Sequence, residues 1–217
     1  MHYFVTGATG FIGKRLVKKL LERKGAVVHF LIRKESESKV AALRSDSGAS
    51  AARLVPVFGD LTAKKLGVSA EDLKKLKGQI DHFYHLAAVY DLAADEESQI
   101  AVNIEGTRNT VEFAQAVHAG HFHHVSSIAA AGLYEGVFRE DMFEEAENCE
   151  HPYFMTKHES ERIVRRECKV PWSVYRPAAV VGDSRTGEMD KIDGPYYFFK
   201  LIQRMRQLLP PWMPSIG

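Results

Sequence analysis

The stretch VTGATGFIG, residues 5–13, limits the possible folds of this chain more than any other, because it lies between an apolar run and the start of a helical pattern. HYFV (2–5) reads as a buried strand, and from Phe11 the residues Phe11, Ile12, Leu16, Leu20 and Leu21 recur at helical spacing with Lys and Arg between them. Gly7 permits a tight turn, Gly10 lets the backbone approach a pyrophosphate, and Gly13 lets the helix pack closely on the strand. Unpaired amides at the helix start, with the positive end of its dipole, then face the phosphates. The spacing is Gly-x-x-Gly-x-x-Gly instead of the commoner Gly-x-Gly-x-x-Gly, but a strand before and a helix after are the context a dinucleotide site requires. The loop thus supplies Thr6, Gly7, Thr9, Gly10, Phe11, Ile12 and Gly13 as cofactor-binding candidates.

The same alternation continues. Strands are expected in AVVHFLI (26–32), RLVPVF (53–58), within IDHFYHLAAV (80–89), in HFHHVSS (121–127) and in WSVYR (172–176), with helical stretches between them, notably 99–118 and 153–167. Strand and helix in strict alternation predict an α/β fold, a doubly wound parallel (Rossmann-type) sheet with helices on both faces, since right-handed crossovers place them there. SDSGASAA (45–52) reads as a solvent loop. After Arg176 the character changes: Gly and Pro punctuate 177–195, and YYFFKLIQRMRQLLPPWMP is aromatic, apolar and basic. The expected division is a nucleotide-binding domain with catalytic residues over 1–182 and the beginning of a smaller C-terminal substrate-binding cap over 183–217.

With 217 residues, 45% hydrophobic and 26% charged, the chain can bury a substantial core. A formal net charge of +1 gives no basic field for nucleic acid. No apolar run approaches the roughly 18 residues of a membrane span, and no basic leader precedes the first strand, so a cytoplasmic setting is expected. Cys149 and Cys168 read as isolated reduced thiols.

Roughly 20 residues past Gly13, where an NAD enzyme places an acid for the ribose hydroxyls, the chain has Arg33 followed by Lys34. Two cations suit a 2′-phosphate, which points to NADPH. GDL (59–61) sets Asp60, with Leu61 beside it, against an adenine amino group. The small residues Ala87 and Ala88 of HLAA leave room for the cofactor.

Two Tyr-x-x-x-Lys pairs occur, Tyr153/Lys157 and Tyr196/Lys200, each on one face of a helix. Only the first follows a strand that ends in serine, at the sheet edge where open α/β folds bind ligands. Hydride arriving at a carbonyl carbon makes an alkoxide that needs a proton and a donor already aimed at it. A free phenol titrates near pH 10, and a neighbouring ammonium favours its ionised form. Tyr153 is therefore the expected general acid, Lys157 its electrostatic tuner and ribose anchor, and Ser127 the donor that polarises the carbonyl, with Ser126 as the competing choice. Tyr196 and Lys200 read as packing and surface residues.

In order along the chain, Gly7, Gly10, Gly13, Asp60, His85 to Ala88, NIEGT from Asn103, Ser127, Tyr153, Lys157 and YRPAAVVG from Tyr175 resemble the extended short-chain dehydrogenase/reductase family. The resemblance implies that Asn103 is a fourth catalytic residue behind the lysine. It also favours Ser127, five residues before Gly132, and places Arg176 and Pro177 beside the nicotinamide. DHFYHLAAVYDLAADEESQ, HFHHVSSIAAAGLYEGVFREDMFEEAE, PYFMTKHESE and GEMDKIDGPYYFFKLIQ are similar to the N-terminal reductase module of bacterial alcohol-forming fatty acyl-CoA reductases. What this implies is NADPH-dependent reduction of a long-chain fatty acyl-CoA, or of the fatty aldehyde derived from it, by a module that continues into a further reductase module.

A nucleotide-sugar epimerase, dehydratase or reductase would share these catalytic residues, and a non-enzymatic NADP sensor would keep the glycine loop, so both stay open as alternatives. The cap could line an acyl channel with Phe198, Phe199, Ile202 and Met205, and could offer Lys200, Arg204 and Arg206 to CoA phosphates or a membrane surface; plain packing is the competing reading. Peripheral membrane contact and homo-oligomer formation stay open too. His121, His123 and His124 crowd strand five without a third ligand at sensible spacing, so no metal is expected. Tyr134 could border the substrate or be an ordinary loop residue.

Overall fold

The computed structural model describes residues 1–89, 95–189 and 195–208. Six strands, β1 (His2–Thr6), β2 (Val27–Ile32), β3 (Leu54–Phe58), β4 (His82–His85), β5 (His121–Val125) and β6 (Trp172–Tyr175), form one sheet in the order β3-β2-β1-β4-β5-β6, every pair parallel. This is the doubly wound arrangement expected from the alternation. The chain winds outward from β1 to β3, returns to the middle, and winds outward again from β4 to β6, so the switch point lies between β1 and β4.

The intervening helices are α1 (Phe11–Leu21), α2 (Lys39–Ser47), α3 (Ala70–Leu76), the single turn α4 (Glu96–Gln99), α5 (Gly106–Ala116) and α6 (Pro152–Glu167). Residues 45–47, expected in a solvent loop, form the last turn of α2, which ends at Gly48 in the left-handed region. Side chains alternate across the pleat, so each strand feeds two cores. Tyr3, Val5, Val28 and Phe30 pack with Val17, Leu20, Val40 and Leu43 of α1 and α2 on one face. Phe4, Phe83 and Phe122 pack with Leu76, Val111, Phe113, Ile163 and Val164 of α3, α5 and α6 on the other. Register places Phe4 opposite Phe83 and Phe83 opposite Phe122, and their rings stack at 4.7 and 5.4 Å.

The expected helix over 99–118 is interrupted. Residues Ile100–Glu105 form a π-helical segment between α4 and α5. The wider turn carries an extra residue and turns Asn103 inward, where its amide bonds backbone groups of another segment.

Two compact units divide the chain, 1–177 and 178–217. In the second, α7 (Pro195–Leu208) exposes Phe198, Phe199, Leu201 and Ile202, and the Tyr196 hydroxyl accepts a hydrogen bond from the Gly182 amide at 2.6 Å. The side chains of Lys200, Met205 and Arg206, and residues 209–217, lie outside the described residues. No helix among the described residues is long and apolar enough to cross a membrane.

Histidines are a recurring part of the sheet. His123 stacks on Tyr84 (4.3 Å), its Nε2 is 3.0 Å from His82 Nδ1, and its Nδ1 is 2.9 Å from the Tyr175 hydroxyl. Burial holds His29 and His123 at about 4 and His85 at about 3, and pushes His82 and His124 below the ordinary range as well. Folded pKa values below the unfolded value near 6.5 mean that unfolding takes up protons in acid, so stability present at neutral pH is lost as pH falls below about 6.5. The urea midpoint is therefore expected to be clearly lower at pH 5.5 than at pH 7.5; equal midpoints would show that these rings are not held neutral.

Candidate active site

The glycine loop leaves β1 at the switch point. Gly7 has φ +73°, and a Cβ there would lie 2.8 Å from the Ala87 amide at the end of β4, so only glycine lets the two strand ends meet. A Cβ on Gly13 would run into the Gly7 carbonyl, which fixes how closely α1 sits on the loop. Gly10 differs: a Cβ there would touch only the Gly7 oxygen, at 3.3 Å, and the space beyond is open. Gly10 caps α1 without a side-chain hydrogen bond, and the amides of Phe11, Ile12 and Gly13 have no acceptor within the helix. Thr9 and Ile12 are exposed beside it and Phe11 is half-buried. The loop thus presents donors and clearance to an anion, as a pyrophosphate requires.

Arg33 is exposed at the end of β2 and forms no ion pair among the described residues, whereas Lys34 pairs with Glu37 (2.7 Å) and lies over the Phe58 ring (4.5 Å). Asp60 follows β3; its Oδ1 accepts from the Thr62 amide (2.8 Å) and hydroxyl (2.7 Å), and these bonds, helped by Arg33, hold its carboxyl below the usual range. Leu61 beside it is half-buried and its carbonyl accepts from Asn109 at 2.9 Å. Ala87 and Ala88 are half-buried after β4, and the Ala87 amide donates to Thr6 at 3.3 Å.

Behind the loop lies a buried polar chain that sequence reasoning missed. Thr6 Oγ1 and His85 Nδ1 are 2.7 Å apart, His85 Nε2 and Thr107 Oγ1 are 3.0 Å apart, and Thr107 Oγ1 donates to the Asn103 carbonyl at 2.6 Å. Because the Thr107 hydroxyl proton is committed to that carbonyl, His85 Nε2 must carry the hydrogen and donate, and Nδ1 must accept from Thr6. Asn103 is buried; its side chain accepts from the Val89 amide (2.8 Å) and donates to the Val89 carbonyl (2.9 Å) and to Thr156 Oγ1 (3.2 Å). Thr156 in turn donates to the carbonyl of Tyr153 at 3.2 Å. The parallel register of β1, β4 and β5, which sets Thr6 beside His85 and His85 beside His124, was the available signal.

Helix α6 begins at the catalytic candidates: His151 caps it by accepting from the Tyr153 amide, and Pro152 occupies its first turn, where a missing N–H costs nothing. Tyr153 is half-buried. Lys157, one turn on, is 3% exposed, and its Nζ donates to the carbonyl of Val125, the last residue of β5, at 3.1 Å. Burial lowers its pKa to about 8, slightly offset by Glu161, so it stays cationic at pH 7. Ser127 is half-buried just beyond β5 and its Oγ accepts from the Ala129 amide at 3.1 Å, which leaves its proton available to donate.

The two adjacent serines have different partners. Ser126 is buried and donates to Glu161 Oε2 at 2.8 Å. Glu161 is itself buried and also accepts from Arg165 (2.8 Å) and from Arg176 (2.6 and 3.0 Å). Arg176 additionally donates to the carbonyls of Met142 (2.8 Å) and Arg139 (3.4 Å), so its guanidinium is spent on Glu161 and on the loop after β5. Pro177 contributes its carbonyl to the Ile128 amide at 3.2 Å, beside Ser127. No group of three His, Cys, Asp or Glu side chains that could hold a metal ion occurs among the described residues.

Known proteins share this arrangement of elements. Residues 5–216 match the NAD-binding family described as Male sterility protein. The chain is 32% identical over 204 residues to a linear gramicidin synthase of Brevibacillus parabrevis, covering 87% of this chain and 4% of that protein. It is 27% identical over 262 residues to a Drosophila melanogaster protein assigned as a fatty acyl-CoA reductase, covering 98% of this chain and 50% of that one. Among solved structures, the terminal R domain from the myxalamid PKS-NRPS biosynthetic pathway superposes with a TM-score of 0.81 at 30% identity, over 94% of this chain and 55% of that chain. The chain spans between 4% and 50% of the length of these two curated relatives. It belongs to the Male sterility NAD-binding family, within the extended short-chain dehydrogenase/reductase class.

Proposed function

We propose that this module is an NADPH-dependent reductase that carries a long-chain fatty acyl-CoA, or the fatty aldehyde derived from it, towards the fatty alcohol. The observation that supports it best is the burial of a cationic lysine one helical turn after Tyr153, bonded to the end of β5 just before the chain reaches Ser127. When bound, NADPH supplies the hydride. Tyr153 donates the proton that the developing alkoxide needs, Lys157 places its positive charge one helical turn from that phenol and holds the cofactor ribose, and the free hydroxyl proton of Ser127 polarises the carbonyl. Asn103 holds the helix by Thr156 and the segment after β4 by Val89. Thr6, Gly7, Thr9, Gly10, Phe11, Ile12, Gly13, Asp60, Leu61, Ala87, Ala88 and Pro177 form the remaining cofactor surface. Arg176 acts from a distance by fixing the loop after β5.

Arg33, which forms no ion pair among the described residues, supports a 2′-phosphate on the ribose, and no carboxylate occupies its place. The exposed Phe198, Phe199, Leu201 and Ile202 of α7 suit an acyl tail better than a sugar. The fatty acyl-CoA reductase relative supports the same substrate class, and the relatives that are large synthetases support a module working within a longer polypeptide.

NADPH oxidation measured with a long-chain aldehyde, a long-chain acyl-CoA and a nucleotide sugar should appear with the first two; turnover of the sugar nucleotide alone would overturn the reading. Tyr153→Phe should lower kcat by about 10²-fold or more, the usual worth of a positioned acid, and unimpaired turnover would remove Tyr153 from the chemistry. Arg33→Asp should raise the Kd for NADPH at least about tenfold, one charge-assisted hydrogen bond to phosphate being worth roughly 1.5–3 kcal/mol, and bring NADH closer to parity; an unchanged ratio would refute the cofactor assignment. Lys157 is held at a cost: a fall from 10.5 to about 8 corresponds to roughly 3 kcal/mol. Because the folded value is the lower one, that cost is full below pH 8 and fades as pH rises towards 10.5. Lys157→Met should therefore abolish turnover yet raise stability at pH 7, with the gain over the parent chain shrinking by pH 10 in paired urea titrations; a loss of stability at pH 7 would contradict it.

A further inference from the structure

His158 follows Lys157 on α6 and has no part in the chemistry above. It is half-buried, its ring lies flat on Phe143 (4.3 Å between centroids, 4° between planes), and its Nδ1 is 2.9 Å from the carbonyl oxygen of Ala130. A carbonyl only accepts, so Nδ1 carries the hydrogen and donates, and it does so whether the ring is neutral or cationic.

Ala130 belongs to the short turn Ile128–Ala131 that Ser127 caps. Within it the Ala129 amide donates to Ser127 Oγ at 3.1 Å and the Ala130 amide donates to the Ser127 carbonyl at 3.0 Å. Ser127's backbone and hydroxyl are thus both locked to the turn, and where the turn sits decides where the hydroxyl points. On its far side the turn is tied to residue 147: the Leu133 amide donates to the Glu147 carbonyl at 2.8 Å, and the Glu147 amide to the Ala131 carbonyl at 3.3 Å. The bonds of Lys157 with Val125 and of Glu161 with Ser126 tie α6 to the end of β5 but stop short of Ser127. Among the described residues, the side-chain bond from α6 that reaches past Ser127 into its turn is the one from His158.

We propose that His158 is a positioning residue that sets the Ser127 hydroxyl against Tyr153 by pinning the Ser127 turn to the catalytic helix. This rests on the reductase reading in which Ser127 polarises the carbonyl. Tyr153 and His158 are on the same rigid helix, so the distance from donor to acid is set by a bond from that helix to the turn. A purely structural role would need only the ring stacked on Phe143.

Two substitutions separate these roles. His158→Phe keeps a ring for Phe143 and deletes the donor; His158→Asn discards the ring and places an amide N–H where Nδ1 was. With saturating NADPH and a long-chain aldehyde, His158→Phe is expected to lower kcat about tenfold, the worth of one hydrogen bond at about 1.4 kcal/mol, with KM for NADPH unchanged, and His158→Asn to stay within about threefold of the parent. In a Ser127→Ala background, His158→Phe should cost nothing further, because the effect passes through that hydroxyl. Amide hydrogen exchange at Ala129 and Ala130 should quicken in His158→Phe while the rest of α6 keeps its protection. Parent-like kcat in His158→Phe, an equal loss in both variants, or the full loss persisting without the Ser127 hydroxyl would overturn the assignment. If the parent chain reduces neither aldehyde nor acyl-CoA, the reductase reading fails by itself, and unchanged exchange at Ala129 and Ala130 would still refute the pin.

Discussion

The hydrogen bond between Thr6 and His85, 2.7 Å across the seam where β1 meets β4, is the contact on which the rest of the site depends. It joins the strand that enters the glycine loop to the strand that faces it, at the only place in a doubly wound sheet where neighbouring connections run in opposite directions. Because the Thr107 hydroxyl is committed to the Asn103 carbonyl, the bond is directional, and the imidazole works only as one neutral tautomer. Complete burial, with Lys157 nearby, enforces that state by pushing its pKa down to about 3. A fully satisfied buried network of this kind specifies one arrangement of its members, since any slip leaves a polar group unpaired at a cost of about 1–3 kcal/mol. The phosphate loop and the helix that carries Tyr153 are therefore not independent parts that happen to be adjacent.

The sheet was legible because parallel strands buried on both faces read as short apolar runs, and the winding followed from their alternation with helices. The need for glycine was legible at Gly7 and Gly13, where neighbouring backbone leaves no room for a Cβ; at Gly10 a Cβ would meet only the Gly7 oxygen, at 3.3 Å. What stayed hidden depends on tertiary partners. The π-helical turn at 100–105 has no signature in NIEGT; it exists because Asn103 finds Val89 and Thr156. Arg176 lies in a segment whose resemblance points to the nicotinamide, yet spacing could not show that its guanidinium meets a carboxylate on α6 fifteen residues earlier. His158 reads as one more polar residue on an exposed helix face until the loop after β5 folds over it. Architecture follows from periodicity, which survives in a single sequence, whereas the chemistry of an individual side chain depends on contacts that only the fold creates.

Glu161 explains how two neighbouring serines take different fates. Successive residues leaving a strand point to opposite sides, and here Ser126 is buried while Ser127 is half-buried. The inward one, Ser126, becomes a ligand of a buried carboxylate that already holds two guanidiniums. Such a cluster is not a source of net stability in itself, but removing one member strands the others. Its value is geometric: through Arg176 it reaches the carbonyls of Met142 and Arg139, and so anchors the loop after β5 to the same helix that carries the tyrosine and lysine.

The same cluster leaves Lys157 short of a counter-ion. Glu161 is one helical turn away and favours the lysine's charge, but its oxygens are shared among Arg165, Arg176 and Ser126, and burial outweighs its help. Behind the lysine stand His85 and His124, both neutral and unable to offset a positive charge. Its single hydrogen bond among the described residues is to a backbone carbonyl. An ammonium in this position retains donors that no bond among the described residues uses and a field that its neighbours do not fully cancel. A phenol that must lose a proton, and a ribose rich in acceptors, are the chemical groups that such a field favours.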